Sequence, residues 1–208
     1  MSAVAQFIHR GGFMMYPLII ASILLIALVI ERLFVMRRAV MDGDELLDEI
    51  RSVTGNDPRA NLQKAEKLCT DTNKPLGRML ARGLKNAGRS PDAIEMAMEQ
   101  EASNEIPALE ANLTVIKTIV NIAPLLGLLG TIAGMISAFQ AASQKGLSNP
   151  TQILGGVGEA LVSTATGIVL AVIGFIAYNY FSNLSRKLIE DMEFYGAELV
   201  NYLTGRID

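Results

Sequence analysis

The run APLLGLLGTIAGM, residues 123–135, decides how this chain is read. It is apolar enough for a bilayer, yet glycine and threonine stand where a plain lipid anchor would carry leucine. A second run, GEALVSTATGIVLAV (158–172), has the same character. Small residues let helices approach closely in lipid, where burial from water no longer drives association. Hydroxyls in such helices mark a contact or a path inside a bundle. The two runs therefore predict helix assembly first, and with it a candidate route for ions.

Outward from these runs, three apolar stretches reach bilayer length: about Phe13 to Ile30, about Thr118 to Ala142 and about Ala160 to Phe181. A spanning helix needs roughly 20 apolar residues. A mean hydropathy of +0.34, with no tryptophan, agrees with a membrane chain rather than a soluble domain. The first stretch lacks a basic start and a small-x-small cleavage site, and Glu31-Arg32 follows it directly. It reads as a membrane helix and not as a removed leader.

The net charge of −3 says little about partners, but its distribution sets an orientation. Arg32, Arg37 and Arg38 follow the first stretch, Lys117 precedes the second, and Arg186 and Lys187 follow the third. The opposite side has Arg10, Lys145 and His9. Cationic flanks stay on the cytoplasmic side. The N-terminus is thus expected outside, and residues 36–117 and the C-terminus inside.

The polar block between the first two stretches has helical spacing. Leu46, Leu47, Ile50 and Val53 share one helix face, and TGNDP (54–58) ends that helix. Leu62, Ala65, Leu68 and Cys69 mark a second helix, ending near TNKP (72–75). Leu76, Met79, Leu80 and Leu84 mark a third, with Gly88 as its stop. Ser90-Pro91 reads as an N-cap followed by proline at the first helical position. From there one long helix is expected to run through Ile94, Met98 and Ile106 into the second membrane stretch, kinked at Pro107 and Pro124. Beyond the third stretch, Leu184, Leu188, Met192, Tyr195, Leu199 and Leu203 predict a helical extension with one apolar face, packed on the 39–116 helices. The fold class expected is an all-α membrane protein: three transmembrane helices with long cytoplasmic extensions and a small cytoplasmic helical bundle.

Enzyme chemistry has few residues to work with. There is no GxxxxGK[ST] phosphate loop and no GxSxG elbow. His9 is the sole histidine and Cys69 the sole cysteine, which gives no zinc cluster and no disulfide framework. No catalytic residue, metal, cofactor or nucleic-acid partner is expected.

The candidate site residues lie in the two opening runs. Glu159 is the acid at the start of the third stretch. It reads equally as a helix-terminus charge favoured by the dipole and as an acid at a pore mouth. At about 100° per residue, Glu159, Ser163 and Thr166 share a narrow sector, with Thr164 about 140° from Glu159. A single threonine in an apolar helix most simply bonds the carbonyl one turn back. Thr131, Thr164 and Thr166 together, amid glycines, favour a pore lining. Gly127, Gly130 and Gly134 on one helix, and Gly167, Ala171 and Gly174 on the other, form small-residue stripes suited to close packing.

These pieces resemble the MotA/TolQ/ExbB proton-channel family, and its TolQ/ExbB branch best. The carriers are Glu31-Arg32, APLLGLLGTIAGM and GEALVSTATGI, together with the three-helix topology. The resemblance covers nearly the whole chain. It implies a multi-pass protein of the bacterial inner membrane, with a periplasmic arm (1–12), membrane helices at 13–35, 118–142 and 158–181, a cytoplasmic domain (36–117), a periplasmic loop (143–157) and a cytoplasmic C-terminal helix (182–208). It also implies a homopentameric ring around single-span helices of an ExbD/TolR-like partner, which supplies the protonatable aspartate, and a TonB/TolA-like energy transducer beyond it. By motif position, Thr131, Thr164 and Glu159 match the family's lumen threonines and helix-three glutamate; Thr166 rests on helical geometry alone. Two rival readings stay open at this point: a non-conducting membrane scaffold, and an ion channel that works alone.

Overall fold

A computed structural model describes residues 12–55, 57, 60–145 and 150–206. The arm expected at 1–12 falls almost wholly outside them, as do residues 146–149. The described chain is helical, with no strand among the described residues. The helices are α1 (Met15–Ala39), α2 (Gly43–Thr54), α3 (Leu62–Asp71), α4 (Pro75–Lys85), α5 (Pro91–Glu110), α6 (Leu113–Lys145) and α7 (Pro150–Thr204). Three helical stretches are long and apolar enough to cross a membrane, with mean hydropathies of 2.6, 2.0 and 2.3. They cover α1 and most of α6 and α7. The chain divides into two compact units, one of residues 1–31 and 112–180, the other of residues 32–111 and 181–208.

The second unit is a small helical bundle whose boundaries follow local chemistry. The Asp42 carboxylate caps α2 by accepting from the backbone N–H groups of Asp44 (3.1 Å) and Glu45 (3.3 Å). Gly55, at φ 68°, ends α2 with its N–H on the Arg51 carbonyl, inside the TGNDP break. Pro75 and Pro91 each open a helix, where a missing N–H costs nothing. The core comprises Leu46, Leu47, Ile50, Ala65, Cys69, Leu76, Met79, Leu80, Leu84, Ile94 and Met98, joined by Leu188, Met192, Leu199 and Leu203 of α7. The C-terminal extension therefore packs on the 39–111 helices, as its apolar face predicts. The Tyr202 hydroxyl lies 2.6 Å from the Thr54 hydroxyl, and Gly43 leaves room for the Tyr195 ring. A bidentate ion pair from Arg78 to Glu105 ties α4 to α5, while the same guanidinium donates to the Asn73 carbonyl at 3.0 Å.

The long helix expected from Ser90 into the second membrane stretch is two helices. The break falls at Ala111-Asn112, where Asn112 takes the left-handed conformation at φ 61°. Asparagine tolerates this region better than most residues. Both prolines sit inside helices, Pro107 in the last turn of α5 and Pro124 in α6. Near the break, Arg32 is 3% exposed and donates from Nη1 to the Ala108 carbonyl at 3.0 Å. That carbonyl belongs to the last turn of α5, where no intrahelical donor remains and a cation is favoured by the dipole.

Cys69 sits in the second unit at 0% exposure. Burial, reinforced by Glu49, pushes its thiol up to about 12. The thiolate is the reactive species, so the native thiol should resist maleimide at neutral pH and label fully once the chain is unfolded. Mass spectrometry before and after denaturant checks this. Fast labelling of the native chain would contradict the packing described.

Candidate functional site: the glycine crevice between two membrane helices

The first unit brings α6 and α7 together as an antiparallel pair with their small residues interleaved. Going from one end to the other, Gly174 faces Val120, Gly167 faces the Ala123 carbonyl, Gly127 faces Thr164, Gly130 faces Ser163, Gly134 faces Ala160 and Gly156 faces Ala138. A Cβ at Gly127 would sit 3.0 Å from Thr164 Cα, and one at Gly134 would sit 3.0 Å from Ala160 Cβ. These are backbone-level approaches. Each glycine can be explained by what occupies the space of its absent side chain. At one end of the pair, Lys117 Nζ lies 5.7 Å from the centre of the Tyr178 ring. Ala171 is half-buried on the α7 stripe.

The hydroxyls divide into two kinds. Thr131 Oγ1 donates to the Leu128 carbonyl at 2.7 Å, and Thr166 Oγ1 to the Val162 carbonyl at 2.8 Å. Both are bonds back along their own helix. Thr164 is different: its Oγ1 donates across the pair to the Gly127 carbonyl at 2.8 Å. Ser163, fully buried, donates to the Ala160 carbonyl at 3.0 Å and reaches the same Gly127 carbonyl at 3.5 Å. The Gly127 carbonyl is thus the point where α7 hydroxyls meet α6. All three threonines are half-buried. Each has its proton committed to a carbonyl and keeps oxygen lone pairs that can accept from water or an acid.

Glu159 lies within α7, one turn from Ser163, and its side chain is outside the described residues. In the first unit, Asn112 Nδ2 donates to Glu31 Oε2 at 3.2 Å. By sequence alone, Ser163 is only a sector neighbour of Glu159, and Glu31-Arg32 only a family marker and a topology charge. That Ser163 fills the Gly130 notch, that Glu31 accepts from Asn112 and that Arg32 donates to Ala108 each depend on contacts that spacing along one helix does not reveal. Among the described residues, no cluster of His, Cys, Asp and Glu could hold a metal.

This fold and crevice define an α-helical, multi-span membrane protein whose spanning helices are shaped for backbone contact. Residues 71–194 match the model of the MotA/TolQ/ExbB proton channel family. The chain belongs to that family, and its relatives lie in the TolQ/ExbB branch. It is 31% identical to the putative biopolymer transport protein ExbB-like 3 of Synechocystis sp., over 84% of this chain and 82% of that protein. It is 30% identical to ExbB-like 1 of the same organism, over 91% of this chain and 75% of that protein. Against the Tol-Pal system protein TolQ of Pseudomonas aeruginosa it is 35% identical, over 49% of this chain and 46% of that protein. This is a transport family, not an enzyme family.

Proposed function

We propose that this chain is the ring-forming stator subunit of a proton-driven motor in the bacterial inner membrane. Its partner is a single-span protein resembling ExbD or TolR, and the force passes to a TonB/TolA-like transducer and so to periplasmic or outer-membrane processes. The observation that carries the proposal is the α6–α7 crevice in a chain of a proton-channel family. Its glycines allow backbone contact, and its threonine hydroxyls keep acceptor lone pairs inside apolar helices. In this reading five copies close the ring, with the N-terminus and the 143–157 segment periplasmic and residues 36–117 and 182–208 cytoplasmic. Thr131, Thr164 and Thr166 line the lumen, where they meet the partner's acid. Native mass spectrometry that finds only monomers or dimers in mild detergent would refute the ring.

The back-bonded hydroxyls of Thr131 and Thr166 are also what a non-conducting scaffold would carry. Replacing Thr131 and Thr164 together by valine keeps shape and removes both hydroxyls. The expected result is intact assembly with partner-dependent proton flux reduced about thirtyfold, since two hydrogen bonds of about 1 kcal/mol each are lost from the path. Flux equal to the parent chain, measured in liposomes containing the partner, would favour the scaffold.

Glu159 in this proposal collects protons at the periplasmic mouth. Glu159→Gln and Glu159→Ala should both abolish partner-dependent flux while the ring still forms. A silent Gln variant beside an Ala variant that assembles poorly would reduce Glu159 to a helix-terminus group.

A further inference from the structure

We infer that neighbouring copies of this chain lock their second units together through two oppositely charged clefts on the flanks of α5. The inference rests on the ring proposed above and adds a specific contact to it. On one flank, α5 with α4 and α7 encloses a cavity of about 390 Å³ lined by Met79, Met98 and Met192 and rimmed by Glu95, Glu99 and Glu193. On the other flank, α4 and α5 enclose a cleft of about 330 Å³ carrying Arg82, Lys85 and Arg89 beside Gln100. Helical geometry sets Glu95 and Glu99 on nearly the opposite side of α5 from Ala97 and Gln100, with the buried Ile94 between. No ion pair within the described chain neutralises any of these six charges.

A closed ring of more than two copies requires heterologous contacts, in which one surface meets a different, complementary surface on the next copy. This unit carries such a pair, one acidic and one basic, facing apart. The physical fit extends beyond charge. Arginine and lysine stems are apolar and can cover the methionines while their heads reach the glutamates. Methionine adapts its shape to what enters, and Ala102 and Gly196 keep the cavity wall low. Met96, 69% exposed on the outer side of α5, is an apolar group such a contact would cover. A basic amphipathic helix from another protein would match the acidic cavity alone; it would leave the basic cleft unexplained.

The test uses the full chain in membranes with Gly88→Cys beside the basic cleft and Ser103→Cys beside the acidic one, a flexible bis-maleimide and native mass spectrometry in parallel. Cys69 is buried and stays in place. A ladder of covalent oligomers is expected. Lys85→Glu with Arg89→Glu, or Glu95→Lys with Glu99→Lys, should each lower its yield about tenfold, and the two reversals combined should restore it. The ring itself should persist in all three, since membrane helices hold it. An intact ring with no ladder, or a ladder indifferent to both reversals, overturns the contact. A ladder that forms only without the single-span partner assigns the acidic cavity to that partner and overturns it too. A parent chain that is monomeric removes the ring and the contact with it.

Discussion

Gly167→Ala should abolish the assembled state, while Gly158→Ala, in the same helix, should leave it unchanged. The two substitutions add the same methyl. At Gly167 the new Cβ would meet the Ala123 carbonyl oxygen at 2.5 Å and Gly127 Cα at 3.2 Å, both backbone atoms of α6. Neither can rotate away, so the helices themselves must separate. Overpacking of a rigid contact costs about 1–3 kcal/mol, and in the proposed ring every copy would carry it. At Gly158 nothing lies within 4 Å. There the methyl enters open space and the helix gains propensity. Size-exclusion and native mass spectrometry of the two variants check the pair. Equal assembly by both would show that the crevice does not hold α6 to α7. Gly167→Leu should worsen the first effect. At Gly130 the obstacle is the Ser163 side chain, so a double variant with Ser163→Ala should recover part of what Gly130→Ala loses.

Arg32→Ala should lower stability by about 3 kcal/mol, the second large effect. The guanidinium is almost wholly buried and donates to the Ala108 carbonyl in the last turn of α5. Removing it leaves a carbonyl with no intrahelical donor, an unfavourable charge balance at the helix end and a void where the stem packed. Arg32→Lys should recover little, because an ammonium does not reproduce the planar fork. Thermal unfolding of the purified chain in detergent, with exposed Lys67→Ala as a neutral reference, gives the comparison. A variant as stable as the parent would mean that Arg32 contributes charge for topology and nothing to the α5 terminus.

Much of the architecture was legible because the signals are local. Three long apolar stretches suffice to identify three helices able to cross a membrane, since hydropathy acts residue by residue. Helix starts at Pro75 and Pro91 follow from what proline lacks, and the end at Gly55 from what glycine permits. The sequence predicts a continuous helix across residues 110–113 because Ala111 and Asn112 are compatible with a helix locally. The α5 end is instead stabilised by Arg32, distant in sequence, and spacing along one helix carries no trace of that partner. Helix α7 begins at Pro150, ahead of the apolar stretch that predicts it. Gly155, Gly156 and Gly158 weaken a helix in isolation, but Gly156 is packed against Ala138.

For the site the division is the same. The class of protein, the glycine stripes and the choice of threonine over leucine are all written in the order of residues, because composition and periodicity follow directly from which solvent each face must meet. The family is legible there too, through runs that carry both. Packing of the two helices is what makes Thr164 donate its hydroxyl proton across the pair while Thr131 and Thr166 donate theirs along their own helices. Tertiary contact likewise sets Ser163 into the Gly130 notch and Arg32 onto Ala108. A hydroxyl or a guanidinium has several carbonyls within possible reach, and which one it takes depends on the approach of a second helix, a quantity that no single segment encodes.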